Sequence, residues 1–199
     1  MNTKINIILA AAALAAHAAS ADVIVATDAY TWSGDTIRQA EYMATAPSPT
    51  HIVSTYSAKP GFFMPVDKEW TLKNDISSYP KLSTPNRLHE AIYNMGLDEM
   101  VNAVEPDTTL RTGKEWAGVW TRDVSYSILL SMAYLQPEAS KISLMKKVDS
   151  LGRIIQDTGS GGAWPVSSDR EIWTLAAYEL YKVNGDREWL RYIYPVIKR

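Results

Sequence analysis

From Thr84 onward the chain alternates helical segments with connections of two lengths, and this alternation constrains the fold more than any other feature. Apolar residues recur at helical spacing over 86–104, 124–136, 137–155, 171–183 and 187–198. Long loops cover 105–119 and 157–170, whereas the turns at Pro137 and at 184–186 are short. In a layered helical domain this alternation places every long loop at the same end. We therefore expect the two long loops to converge on one surface.

The residues before Thr84 predict a smaller, β-rich part. Strands are expected at 22–27 and 51–56, with a turn at 33–35 and a further strand after it. Three short strands are too few to close a sandwich. We expect a short β-rich segment over 22–56, a linker with several prolines over 57–84, and Trp70 packed against the element that comes after the linker.

The first 21 residues are typical of a secretory signal peptide. Lys4 supplies the positive charge, an apolar stretch comes next, and Ala19-Ser20-Ala21 supplies the small-residue cleavage site. The apolar stretch is too short for a permanent membrane span. We therefore expect an exported protein, periplasmic or extracellular, whose mature chain begins at Asp22.

Composition narrows the classes of function. The chain has 199 residues, 46% hydrophobic and 21% charged, with a net charge of −2, which is typical of a soluble globular protein and shows no basic excess for nucleic acid. It contains no Cys and only three His, so it excludes thiolate chemistry and offers little for a metal site or a Ser/His/Asp triad. No cofactor or metal is predicted, and nothing indicates an oligomeric state.

The two long loops have a similar composition. Each carries a tryptophan followed by charged residues at the start of a helix: Trp120, Arg122 and Asp123 in the first, and Trp164, Asp169 and Arg170 in the second. Aromatic faces beside fixed donors and acceptors suit a sugar ring. The structural alternative makes Asp123 a helix N-cap, Trp120 a core residue and Arg122 the partner of a surface acid. A phosphate loop is disfavoured because no Lys-Ser/Thr follows the glycines.

Three segments resemble one known family. Val119-Trp120-Thr121-Arg122-Asp123, the stretch 164–170 and the ending 184–195 resemble, in order, motifs of the six-hairpin glycoside hydrolases, and most closely their glucoamylase-like branch. The resemblance implies an all-α fold, a partial (α/α)6 toroid of about five helices over 85–199. The β-rich segment before it is also similar to secreted bacterial members.

The resemblance also implies roles for the loop residues. Arg122 and Asp123 would bind sugar hydroxyls, Trp120 and Trp164 would wall the subsite, and Asp169 with Arg170 would add polar contacts. Enzymes of this family use two carboxylates to hydrolyse the glycosidic bond with inversion at the anomeric carbon. The resemblance implies that both carboxylates would lie beyond this chain, which is expected to be the N-terminal portion of the hydrolase.

Three alternatives remain open at this point. Asp123 would be the acid if the chain followed the trehalase-like branch. A non-catalytic carbohydrate-binding module would use the same loops without chemistry. A lyase or epimerase would need a nearby base, for which Tyr126 and His89 are the candidates.

Overall fold

The computed structural model describes residues 23–57, 68–157 and 168–199. A six-stranded antiparallel sheet comes first in the chain and a layer of helices comes after it. About 43% of the described residues are helical and 20% are in strands. The predicted fold class, an all-α partial (α/α)6 toroid, is therefore wrong, and the protein is a mixed α/β protein.

The sheet is a meander in which each strand pairs with the next one along the chain. Gly34, with φ of 53°, makes the tight turn between the second and third strands that the sequence predicts. The strands are β1 (Val23–Ala26), β2 (Thr31–Ser33), β3 (Thr36–Gln39), β4 (Tyr42–Ser48), β5 (His51–Ser54) and β6 (Glu69–Thr71).

Two of these strands explain why the sequence underestimates the sheet. β4 contains two alanines and Pro47, which have low strand propensity, and β6 is three residues long and lies inside the predicted linker. Pairing with neighbouring strands and packing stabilise both. Ala46 of β4 is 1% exposed and packs against Leu88 and Ala91 of the helix that comes after the sheet.

Helix α1 (Arg87–Asn102) packs on the sheet through Leu88 and Ala91. Its N-cap is Asn86, whose side chain accepts a hydrogen bond from the His89 amide. Thr84 lies two positions before this N-cap, and its hydroxyl accepts a hydrogen bond from the amide of Asn86.

A buried carboxylate on α1 joins it to the chain leaving the sheet. Asp98, 1% exposed, accepts hydrogen bonds from Trp70 Nε1 at 2.9 Å and from the backbone and side-chain nitrogens of Asn74 at 3.0 and 2.7 Å. Burial alone would raise the pKa of Asp98, but the hydrogen bonds from Trp70 and Asn74 outweigh it and lower that pKa. Trp70 is thus packed against α1, the next element of the chain, as predicted.

The remaining helices form a second layer, whose core also includes Leu97 and Met100 of α1. One continuous helix consists of α2 (Thr121–Ser127), a π-helical turn (Ile128–Met132) and α3 (Ala133–Leu135), and it is followed by α4 (Pro137–Lys146), α5 (Asp169–Asn184) and α6 (Arg187–Ile197). The largest fully buried side chains in this layer are Trp173 and Trp189. Among the described residues, none of these helices combines the length and apolarity needed to cross a membrane.

The continuous helix 121–135 and α5 run side by side in the same direction. Arg122 and Asp169 meet at their first turns, and the Tyr134 hydroxyl donates to Glu179 at 2.9 Å near their other ends. α4 lies between the two helices in the sequence and runs back along the layer. The N-termini of the two helices, where the long loops end, therefore lie at the same end of the layer.

Helix α4 differs from its prediction. It ends at Lys146, and Val148 pairs with Ile154 in an isolated bridge, so the expected apolar stripe to Ile155 is broken. Its buried residues are small or polar, with one leucine: Ala139, Ser140, Ser143 and Leu144. Small side chains allow close packing, and Trp173 of α5 donates to the Leu144 carbonyl across that contact at 3.0 Å.

Candidate functional site

The first long loop is held in shape by its own backbone. Gly113 and Trp116 exchange two backbone hydrogen bonds of 3.1 and 3.2 Å, which form a tight turn. The Arg111 guanidinium donates to the carbonyls of Gly113 and Lys114, both at 2.9 Å. Trp116, at the end of this turn, is 47% exposed on an ordered backbone.

Hydrogen bonds of the Thr112 side chain link this turn to the start of the next helix. Its hydroxyl donates to the Gly118 carbonyl and accepts from the Trp120 amide, both at 3.1 Å. Gly118 has φ of 81°, a conformation that favours glycine, and this lets its carbonyl face Thr112. The loop thereby places Trp116 and Trp120 around one cavity.

That cavity has a volume of about 440 Å³ and combines aromatic with polar walls. Trp116, Trp120, Glu115 and Asp123 line it; Trp120 is half-buried, and the other three are exposed. Its volume falls within the range of about 300–1,000 Å³ that is usual for small-molecule sites. Two indole rings beside two carboxylates can stack on a ring and accept hydrogen bonds from hydroxyl groups.

Asp123 does not cap its helix. The N-cap position is Trp120, and Asp123 lies in the first turn. The Thr121 amide donates instead to Oδ2 of Asp157, from the start of the second loop. The carboxylate of Asp123 is therefore directed to the cavity and solvent, and the structural alternative for this residue is wrong.

The structure brings together Arg122 and Asp169, one from each predicted loop. Arg122 Nη1 lies 3.9 Å from Asp169 Oδ1, and Asp169 Oδ2 accepts the Asp157 amide at 2.8 Å. Asp169 is only 1% exposed, so it is not open to direct contact with a ligand, and neither Arg122 nor Asp169 lines the cavity of the two tryptophans. Arg122 is half-buried, with 28% of its side chain exposed.

Sequence reasoning missed the pair that supports this arrangement, Lys147 and Asp157. Lys147 Nζ donates to Asp157 Oδ1 at 2.7 Å and to the Val119 carbonyl at 3.1 Å. Burial would raise the pKa of Asp157, but hydrogen bonds from Lys147 and Thr121 outweigh burial and lower it. The four basic residues Lys141, Lys146, Lys147 and Arg153 look like one solvated face in the sequence, but the Lys147 side chain is only 13% exposed.

The other predicted residues are placed elsewhere or lie outside the described ranges. Arg170 is exposed and lines a separate cavity of about 410 Å³ with Leu175 and Ile197. Trp164 lies outside the described residues. His89, a candidate base, packs edge-on against Trp32 of the sheet, and Tyr126 is exposed; neither lines the cavity of the two tryptophans.

Comparison with protein-family models, curated proteins and solved structures found no match. The function therefore has to be argued from the site and its chemistry.

The described residues also bear on metal binding. Within 23–57, 68–157 and 168–199, no group of three or more His, Asp or Glu side chains is arranged to hold a metal ion.

The arrangement at Trp116, Trp120 and Asp123 offers aromatic stacking and hydrogen bonding, which are the contacts that recognise a neutral polar ring.

Proposed function

We propose that the cavity between Trp116, Trp120 and Asp123 is the carbohydrate site of an exported glycoside hydrolase that acts on oligosaccharides or polysaccharides. The proposal depends most on the contact between Arg122 and Asp169. This contact joins the first turns of the two helices that follow the long loops, and the residues on either side of Arg122 in the sequence include Trp120 and Asp123, which line the cavity. The resemblance of both loops to motifs of six-hairpin glycoside hydrolases supports it further.

Each side chain has a distinct role in this proposal. The indole faces of Trp116 and Trp120 pack on the apolar face of a sugar ring. Asp123 accepts hydrogen bonds from ring hydroxyls, and Arg122 donates to their oxygens. Asp169 has the role of a positioning residue, because it is buried and its carboxylate lies beside the Arg122 guanidinium.

The chemistry proposed is hydrolysis with inversion, which needs an acid and a base on opposite sides of the glycosidic bond. Asp123 and Glu115 are exposed, whereas catalytic acids of glycosidases lie in desolvated surroundings. We therefore assign Asp123 to ligand binding and place neither the acid nor the base among the described residues.

The same exposure favours a second candidate function, a non-catalytic carbohydrate-binding module. Such a module needs only stacking and hydrogen bonding, and the cavity offers both. Binding and cleavage therefore have to be measured separately.

Binding is tested by calorimetric titration with defined disaccharides in α-1,4, β-1,4, β-1,3 and α-1,6 linkage. We expect one of them to bind, and Trp116→Ala to lower its affinity by about tenfold or more because a stacking face is lost. Tyr194→Ala is the matched control, because Tyr194 is 62% exposed on α6 and lines no part of this cavity. Absence of binding across the series, or an equal loss in both variants, would refute the carbohydrate site.

Cleavage is followed on the bound sugar by NMR of the newly formed anomeric proton. Release of the inverted anomer supports the hydrolase, and release of the retained anomer contradicts inversion. Tight binding without any release would show that residues 1–199 bind the sugar without cleaving it, as a binding module does.

A further inference from the structure

A second and larger cleft lies directly beside the proposed sugar site. It has a volume of about 760 Å³ and lies between β5 and β6 of the sheet, the C-terminal half of α1 and the first long loop. Thr112, Gly113 and Lys114 line both cavities and form the lip between them. The two cavities are therefore neighbouring parts of one surface.

The cleft contains a tryptophan whose orientation is fixed. Trp70 lines it, and its Nε1 donates to the buried Asp98, which leaves the ring as the part available to a ligand. The lip is fixed as well, because Arg111 donates to the carbonyls of Gly113 and Lys114. Both features reduce the ordering cost of binding.

The charges of the cleft favour a neutral ligand. Its basic side chains are Lys68, Lys73, Arg111 and Lys114, and its acidic side chains are Glu69, Asp98 and Glu99. The two signs nearly balance, and Asp98 is occupied by hydrogen bonds from the protein. Such a surface can both donate hydrogen bonds to hydroxyl groups and accept hydrogen bonds from them, but it does not concentrate anions.

We infer that this cleft binds the extension of a linear, neutral oligosaccharide whose end occupies the cavity of Trp116 and Trp120. The inference rests on the proposed function and adds a ligand length to it. The chain crosses the lip at 112–114 and packs a further sugar ring against Trp70. The protein therefore binds long oligosaccharides more tightly than disaccharides of the same linkage.

Chain length is tested by titrating the protein with the disaccharide and the hexasaccharide of each linkage: maltose and maltohexaose, cellobiose and cellohexaose, and the β-1,3 and α-1,6 pairs. The hexasaccharide of the bound linkage is expected to bind at least about tenfold more tightly, about 1.4 kcal/mol. Glu99→Trp places a large ring in the cleft from the exposed face of α1. It should reduce hexasaccharide affinity to that of the disaccharide and leave disaccharide affinity unchanged.

Ile92→Trp is the matched control, because Ile92 is 46% exposed on the same helix and lines neither cavity. A second measurement needs no cleft variant: the indole N–H signal of Trp70, identified through Trp70→Phe, should shift with the hexasaccharide and not with the disaccharide. Equal affinity of the two ligands, or an unmoved Trp70 signal at saturation, overturns the extension while the disaccharide site stands. If no saccharide binds, the proposed function falls, and this inference falls with it.

Discussion

The ammonium nitrogen of Lys147 lies 2.7 Å from Oδ1 of Asp157, next to the N-terminus of the helix that begins at Thr121. The other carboxylate oxygen accepts the Thr121 amide, and Lys147 also donates to the Val119 carbonyl. One ion pair therefore ties the end of α4, the start of the second loop and the end of the first loop. The candidate sugar site depends on these three segments keeping their places.

Replacing Lys147 by Met should lower the free energy of unfolding by about 2–3 kcal/mol, because it leaves the half-buried Asp157 carboxylate without its charged donor. Urea denaturation measures this change. Lys146→Met is the control: Lys146 pairs with Asp107 at the same 2.7 Å, but both side chains are at least 50% exposed. Its cost should stay below about 1 kcal/mol. Similar losses in the two variants would contradict a structural role for the Lys147 pair.

Stability should also depend on the ionisation of Asp157. Its pKa in the folded protein is lowered, and the pKa of an aspartate in the unfolded chain is about 3.9. As the pH falls, Asp157 therefore becomes protonated in the unfolded chain before it does in the folded protein. The stabilisation is present above about pH 4 and is lost as the pH falls through the folded pKa.

Urea denaturation between pH 7 and pH 2.5 measures this dependence. Asp157→Asn should be less stable at pH 7 and lose less stability on acidification than the unchanged protein. Asp28→Asn, in an exposed turn, should keep the original pH dependence. An unchanged slope in Asp157→Asn would show that its carboxylate does not carry the effect.

Most helices could be predicted from the sequence because their signals are local. The apolar periodicity predicts α1 within about two residues, and Pro137 and Gly185 mark a helix start and stop as expected. The alternation of long and short connections predicts that the two loops meet, and the contact of Arg122 with Asp169 agrees with it.

The features that the sequence did not predict depend on distant partners. β4 and β6 are stabilised by pairing and by α1 rather than by their own propensity. α4 buries one alanine and two serines where Trp173 packs against it, whereas the apolar residues of this segment predict that its opposite side is buried. The contact of Lys147 with Asp157 likewise cannot be read from spacing alone.

The π-helical turn divides an apolar run that looks uniform in the sequence. Ile128 is fully buried, whereas Leu130, two residues later, is 77% exposed. Ile128→Ala should therefore lower the free energy of unfolding by about 2–5 kcal/mol, since it removes core packing. Leu130→Ala should change it by no more than about 0.5 kcal/mol. Thermal and urea unfolding of the two variants checks this, and a larger loss from the Leu130 variant would contradict the burial pattern.

Asp169 should influence binding at the proposed sugar site although it is only 1% exposed. Asp169→Asn keeps an oxygen for the Asp157 amide and removes the negative charge beside Arg122, which is then less firmly positioned. Calorimetry with the disaccharide that binds should show an affinity reduced about fivefold or more, whereas Asp186→Asn at the start of α6 should show no change. If Asp169 acts through Arg122, its substitution should have little further effect in an Arg122→Ala background. If the two substitutions instead lower the affinity additively, Asp169 does not act through Arg122, because a contact between two residues can be lost only once.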